Sequence, residues 1–464
     1  MNHWRLAAGT RWLDPTTLAG GAPYRVMRLT KRGAQIVHTI LALGDKHGLT
    51  PAQRELFDRL EAGGLVIPPP PEAATVLDVT VVIPARSAPD PVRRILAVLP
   101  PSVAVVVVDD GSPIPLPGAL QSQPNLTILR HASPQGPAAA RNAGAASADT
   151  TWLLFLDADV QPRPDTLPRL LGFATGRDVA VVAPRVVNRP GPGLASWFES
   201  SCALDQGPHP ANVGQGQPVS YVPSACLLVK TAVFRDAGGF SEEMHVGEDV
   251  DLIWRLADHG RIRYEPSVVV THEPRTRILA ALNRRRFYGT SAASLSRRHP
   301  GKVRHADVSV WSLVPWVVAV GVSPPLGAAM AVAAVLAAPR GLPSLDPRHA
   351  RQLAATGQVT AAAGLGRWLI RPLLPVTVAL ALAVPPLRRR LALAALAGVA
   401  DLAWRSHKQM ATGSVRQRTT RVAGTVVASL LDDVAYSLGV WQGALNHRTI
   451  DPLLPTVRDL PGRS

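Results

Sequence analysis

The sequence predicts a doubly wound α/β domain, preceded by a small two-helix domain and followed by an apolar helical region. Three observations carry that expectation. From residue 78 to 304, continuous apolar runs alternate with amphipathic stretches, the pattern of parallel strands buried on both faces. Before residue 68, two helix patterns lie between short strand patterns. After residue 304 the charge thins out, and Val308 to Pro339 contains no charged residue at all.

In chain order, Thr30 reads as the N-cap of a helix through Leu43, with Ile36, Val37, Ile40 and Leu41 at helical spacing. Thr50-Pro51 opens a second helix, which carries Leu56 and Leu60 and stops at Gly63-Gly64. Leu65-Val66-Ile67 closes a winged-helix-like domain over residues 1–67, and Pro68 to Pro71 stiffens a linker over 68–77. Within 78–304, strands are expected over Val79 to Ile83, Val103 to Val108, Trp152 to Leu156 and Val179 to Val182. Helices are expected over Pro91 to Leu99 and Ala138 to Ala146. In such a Rossmann-like, mostly parallel sheet the ligand crevice lies beyond the C-terminal strand ends.

The region 305–464 is expected to be helical and membrane-associated. Val308 to Pro339 is long enough to span a bilayer, but Pro324-Pro325 interrupts it, and Pro372 to Leu387, at 16 residues, is marginal. A crossing by the first stretch would leave Arg340, Arg348, Arg351, Arg367 and Arg371 on the outer side, against the positive-inside tendency. A re-entrant hairpin, or helices lying in the interface at the cytoplasmic membrane face, fits better. The bland alternative is an Ala/Val-rich bundle.

Composition narrows the partners. The chain has 464 residues, 47% hydrophobic and 18% charged, with 49 Lys and Arg against 33 Asp and Glu, for a net charge of +16. Such a balance suits anionic lipid or phosphorylated substrates. Nucleic acid is excluded as the reading, because no zinc knuckle, RRM signature or aromatic-basic interleaving occurs. Cys202 and Cys226 cannot build a disulfide framework, and the N-terminal MNHWRLAAGTRW lacks a signal peptide's apolar run, so a reduced cytosolic setting is expected.

Four constellations sit in order at strand ends. Asp109-Asp110-Gly111-Ser112 leaves an apolar run, where one carboxylate could accept the imino N–H of a nucleobase, with Pro84-Ala85-Arg86 as the other wall. Arg141, in Ala140-Arg141-Asn142, could meet a donor diphosphate or brace the nucleotide loop. Asp157-Ala158-Asp159 ends the run Trp152 to Leu156 and offers hard oxygen ligands for Mg²⁺ or Mn²⁺ beside a departing diphosphate. Gly247-Glu248-Asp249 opens an amphipathic helix, and Asp249 suits a general base acting on an acceptor hydroxyl; Asp251 reads as structural. His272, after a strand pattern, could complete the metal shell. Arg284-Arg285-Arg286 supplies cations for diphosphate or for lipid head groups. Each motif alone has a plain reading: a turn, a surface arginine, a helix cap.

Together, VVIPAR, VVVVDDGS, GPAAARNAG, LLFLDAD, the run from Ser224 to Asp251 and THEPR resemble the ordered motifs of family 2 glycosyltransferases with a GT-A fold. The stretch from Ser224 to Leu256 resembles the rhamnosyltransferase-like branch. The resemblance spans about residues 78 to 290. It implies a nucleotide-sugar donor, Asp109 or Asp110 on uracil, Asp157 and Asp159 on metal, and Asp249 as base with Glu248 beside it. It also implies His272 near the metal or diphosphate and Arg286 near the diphosphate. Where processive relatives carry QxxRW, this chain has Asn283-Arg284-Arg285-Arg286-Phe287, so a short or single addition is expected. Gly20 to Thr30, the helix after it and Leu60 to Val66 resemble the peptide-binding PqqD-like fold, which works by strand addition. That combination resembles glycosyltransferases of actinobacterial mycofactocin systems. It implies a peptide-derived acceptor, mycofactocin or its precursor, UDP-glucose as donor, and a precursor peptide or maturation enzymes as further partners. The rivals are a cell-envelope rhamnosyl- or galactofuranosyltransferase acting on a lipid-linked glycan, and a non-catalytic membrane-bound peptide adaptor.

Overall fold

The structure, a computed structural model, describes residues 3–21, 24–43, 48–75, 78–116, 120, 125–175, 178–189, 191, 193–200, 204–274, 277–303, 306–343, 345–409 and 415–458. Residues 22 and 23 of the N-terminal motif, Cys202, Arg275 of THEPR and the boundary residue Arg304 lie outside the described residues. The chain divides into two compact units: Met1–Arg189 with Ala203–Pro274, and Pro190–Cys202 with Arg275–Ser464.

The first unit opens with β1 (Arg5–Leu6), the antiparallel meander β2 (Arg11–Asp14), β3 (Thr17–Gly20) and β4 (Arg25–Arg28), then α1 (Lys31–Leu43), α2 (Pro51–Ala62) and β5 (Val66–Ile67). β1 pairs with β5, and β3 lies between β2 and β4. Thr50 caps α2 in a reciprocal capping box with Gln53, satisfying two of the otherwise orphaned amides. Trp4, Leu18, Val37, Ile40, Phe57, Leu60 and Leu65 form a separate core, with the Trp4 and Phe57 rings 4.6 Å apart. This small domain is fastened to the sheet that follows it. Glu61 Oε1 accepts from both Arg261 and Arg263 at 2.9 Å, and Asn212 Nδ2 donates to the Ala62 carbonyl at 3.3 Å. In the linker, the Ala74 amide donates to the Pro168 carbonyl at 2.9 Å.

The large sheet holds β6 (Val79–Ala85), β7 (Ala104–Asp110), β8 (Leu126–His131), β9 (Trp152–Leu156), β10 (Val160–Gln161), β11 (Val179–Asn188), β12 (Ala211–Asn212), β13 (Cys226–Lys230) and β14 (Arg261–His272). Its order is β10-β14-β11-β13-β9-β6-β7-β8, with β12 on β14. β9, β6, β7 and β8 run parallel, as do β11 and β14, whereas β13 runs antiparallel between β9 and β11. The GT-A architecture of a mostly parallel sheet with flanking helices is therefore present. The expected apolar runs are buried along almost their whole length, and the short helices α3 (Pro89–Leu96), α4 (Pro137–Ala146), α5 (Thr166–Phe173), α7 (Thr231–Asp236) and α8 (Glu248–Leu256) belong to the same unit. The helix α6 (Gly193–Ser200) belongs to the second unit.

The second unit continues with α9 (Ile278–Arg298), β15 (Asp307–Ser309), α10 (Val310–Gly321), α11 (Pro324–Gly341), α12 (Pro347–Ile370), α13 (Leu374–Ala383), α14 (Pro385–Gln409), α15 (Val415–His447) and β16 (Thr456–Arg458). The chain breaks before Pro324-Pro325, as the sequence predicts, and the proline pair takes the first positions of α11, where no helical amide bond is lost; Pro315 and Pro339 lie within the helices. α9 and α15 approach through Gly289 and Gly439, where a β-carbon would strike the facing backbone. Arg367 and Arg371 pair with Asp433 at 2.6 and 2.7 Å, and Arg285 pairs with Asp432, pinning α12 and α9 to α15. Among the described residues, α15 from Arg418 to His447 is long and apolar enough to cross a membrane, and α12 with α13 only as a pair bent by 85°.

A carboxylate cluster bridged by one arginine

β7 ends on two aspartates whose side chains leave the strand on opposite faces. Asp109 is buried. Its Oδ1 accepts the Ser112 amide at 3.0 Å, and its Oδ2 accepts the Leu116 amide at 3.3 Å and the Arg130 guanidinium. Burial pushes its pKa up, but the Ser112 bonds, the Leu116 amide and Arg130 outweigh burial and hold it below the ordinary range. Asp110 accepts His131 Nδ1 at 2.9 Å and the Gln135 and Gly136 amides at 2.8 and 2.9 Å. Burial again opposes, and these bonds again leave the net shift downward. Asp110 thus ties the end of β7 to the first residues before α4. Pro84 is half-buried and Arg86 exposed at the end of β6, where the Ser87 amide donates to Ser112 Oγ at 2.8 Å.

α4 carries Arg141 into the interior, with 4% of its side chain exposed. Its Nη2 donates to Asp157 Oδ1 at 2.6 Å, and its Nη1 reaches Glu248 Oε1 at 3.3 Å, with the guanidinium 5.1 Å from the centre of the Phe240 ring. One cation therefore joins the turn after β9 to the first turn of α8. Asn142, next along α4, holds the loop that supplies Phe240. Its Nδ2 donates to the Phe240 carbonyl at 2.9 Å and to Glu242 Oε1 at 2.8 Å, and its Oδ1 accepts the Phe240 amide at 2.9 Å.

Gly247 sits at φ 82°, a left-handed conformation that admits glycine without strain, and turns the chain so that Glu248 and Asp249 start α8. Carboxylates there are favoured by the helix dipole. Asp249 is half-buried and pushed up to about 7, by burial first and then by the Glu248 charge. Asp157 is also raised by burial, with Arg141 opposing and Asp159 adding to the shift. Asp251 is fully buried and bonded to Arg255 at 2.7 Å, and Arg255 also donates to the Gly239 carbonyl at 2.7 Å, which bears out its structural reading.

Register brings His272 to the aspartate turn: Val160 of β10 pairs with His272 of β14, and the Glu273 amide donates to the Asp159 carbonyl at 3.0 Å. His272 Nε2 lies 3.3 Å from Asp159 Oδ2, and Nδ1 lies 2.9 Å from Asn188 Oδ1. Asp159 is 58% exposed. Among the described residues, no three His, Cys, Asp or Glu side chains converge on one point. Arg286 belongs to the second unit, on α9, where its Nε donates to Gln442 Oε1 at 3.0 Å. Sequence reasoning missed Asn142, Phe240, Arg130 and His131. The first two act across 98 residues of sequence, which no local pattern reveals.

Known proteins similar to this chain point to one family. The model of Glycosyl transferase family 2 matches residues 80–236. A protein named Pre-mycofactocin glycosyltransferase, from Mycobacterium tuberculosis, is 35% identical over 457 residues, covering 96% of this chain and 95% of its own length. The Succinoglycan biosynthesis protein ExoO of Rhizobium meliloti is 32% identical over 212 residues, covering 43% of this chain and 61% of its own length. Among solved structures, a mannosyltransferase from Pyrobaculum calidifontis, in complex with GDP-Man and Mn²⁺, covers 78% of this chain and 88% of its own. It is 20% identical to this chain, with a TM-score of 0.40.

Proposed function

The chain belongs to glycosyl transferase family 2, and from that premise we propose that it moves glucose from UDP-glucose to a hydroxyl of a peptide-derived acceptor, mycofactocin's precursor, inverting the anomeric centre. The acceptor follows the name of the full-length relative, and the ExoO match, which covers under half of this chain, lends the envelope alternative less weight.

The observation that carries the chemistry is Asp249, a carboxylate at a helix start whose pKa is raised to about 7. A base with that affinity removes a hydroxyl proton efficiently near neutral pH. The acceptor oxygen, losing its proton to Asp249, attacks the anomeric carbon from the face opposite the diphosphate. The C–O bond to the diphosphate breaks as the new bond forms. Glu248 holds Asp249's surroundings negative, and Arg141 fixes Glu248. On the donor side, Pro84, Arg86 and the loop from Asp109 to Ser112 form the walls. Asp109 and Asp110 set that loop's backbone, since their oxygens already accept internal N–H groups.

Asp157, Asp159 and His272 fit Mg²⁺ or Mn²⁺ in donor chemistry: two carboxylates and an imidazole whose Nδ1 lies 2.9 Å from Asn188 Oδ1 and whose Nε2 lies 3.3 Å from Asp159 Oδ2. Such a cation would offset charge on the leaving diphosphate.

The test is product formation by the purified chain with UDP-glucose, Mn²⁺ and the mycofactocin precursor, followed by mass spectrometry. Asp249→Asn should lower kcat by about 100-fold or more. Equal turnover in both proteins would sink the base assignment, and a preference for another donor would replace the sugar. The same reading puts the second unit at the cytoplasmic membrane face as a peripheral or re-entrant element. It is supported by exposed Trp311, Val317, Leu393 and Trp404 on its helices. Protein that fractionates wholly with the soluble phase, without detergent, would refute it.

A further inference from the structure

Four apolar side chains of the second unit stand in solvent at one corner: Val322 at 64% exposure, Leu326, Leu382 at 69% and Val384. Two helical hairpins turn there. α10 ends at Gly321 and α11 begins at Pro324; α13 ends at Ala383 and α14 begins at Pro385. Arginines of α14 join the two turns. Arg390 donates to the carbonyls of Val320 and Val322, at 3.4 and 3.0 Å, where α10 finishes. Arg388 donates to the carbonyls of Ala381 and Leu382, at 2.6 and 3.2 Å, where α13 finishes. Each guanidinium meets the negative end of a helix, so both turns are held in fixed geometry around α14. Arg389, between them, is exposed.

A built corner that keeps four apolar side chains in water marks a docking surface. Charge selects its occupant. Residues 310 to 400 carry eight arginines and a single acidic residue, Asp346. That imbalance repels a second copy of the same corner and attracts anionic head groups. Length selects the mode. α10, with 12 residues, and α13, with 10, span about 18 and 15 Å against about 30 Å of hydrocarbon, so neither hairpin carries the corner across.

We propose that this two-hairpin corner docks onto an anionic lipid bilayer, with Val322, Leu326, Leu382 and Val384 entering the acyl boundary and Arg389 meeting lipid phosphate. The proposal rests on the membrane reading above and sharpens it to one surface. The experiment is flotation of the full chain with vesicles of phosphatidylcholine alone, or of phosphatidylcholine with phosphatidylglycerol. Wild type should float with the anionic vesicles. The pair L382S/V384S should lower partitioning at least about tenfold. Arg389→Glu should lower it about fivefold, on anionic vesicles only. Leu445→Ser, on exposed Leu445 of α15, should float like wild type. Wild type that fails to float overturns the membrane reading itself. Wild type and L382S/V384S floating alike leaves that reading standing and removes the corner. A dimer in light scattering that L382S/V384S turns into monomer, with flotation unchanged, makes the corner a protein–protein surface and overturns the proposal.

Discussion

Replacing Arg141 by alanine isolates what one guanidinium does between two loops. Its side chain is buried, 2.6 Å from Asp157 and 3.3 Å from Glu248, and it covers the Phe240 ring. The replacement leaves Asp157, Glu248 and Asp249 together with their cation gone. Truncating one partner of a buried pair costs about 3–5 kcal/mol, and the 27% exposure of Asp157 argues for the lower end, about 3. For a domain of this size that is a fall of about 6–12 °C in melting temperature. A second readout is independent of stability. Arg141 counts among the groups that lower the Asp249 pKa, so its removal moves the acid limb of kcat/KM above about pH 7. Arg141→Lys should recover part of the melting temperature but not both contacts, since an ammonium cannot bridge as a planar fork does. The measurements are thermal melts of the three proteins and pH–rate profiles of those that turn over. An alanine variant that melts within about 2 °C of wild type with an unmoved acid limb would refute the bridging role.

Four further outcomes follow from the same geometry. Because Asp249 is raised to about 7 and acts only when deprotonated, kcat/KM should rise with pH through about 7 and flatten above it; a flat profile from about pH 5.5 to 8 would remove Asp249 as base. The upward shift also means that the folded chain binds this proton first, so the group makes the fold more stable as pH falls through about 7. Asp109→Asn should cost about 2 kcal/mol in urea unfolding, because a neutral amide cannot accept from Leu116, Ser112 and Arg130 as a carboxylate does; an unmoved midpoint contradicts this. Asn142→Ala should make the loop around Phe240 protease-sensitive, and an unchanged digestion rate would count against the clamp.

Much of the sheet is legible in the sequence because β6, β7 and β9 are buried on both faces, and burial writes itself as unbroken Val, Leu and Ile. β8 is half-exposed along Leu126–His131 and leaves no such run. The direction of β13 is equally silent, since an antiparallel strand in mid-sheet is as apolar as a parallel one. In the site, residue types at strand ends reveal Asp157, Glu248 and Asp249 one motif at a time. Their joining does not show, because Arg141 reaches 16 residues along the chain to Asp157 and 107 to Glu248. Asp109 and Asp110 look interchangeable as letters, yet the alternation of a strand sends one toward Arg130 and the other toward His131 and α4.

The Glu61 contact has a consequence for how this chain can be recombined. With Arg261 and Arg263 sharing one carboxylate, and the linker bonded at Ala74 to Pro168, residues 1–67 are bolted in place rather than leashed. A leashed module delivers its cargo at an effective concentration set by linker length. A bolted one keeps a single position, whatever that length. The N-terminal domain is therefore not a portable cassette. A chimera that imports it from a relative must import the acidic end of α2 and the two arginines of β14 together, or it trades an address for a radius.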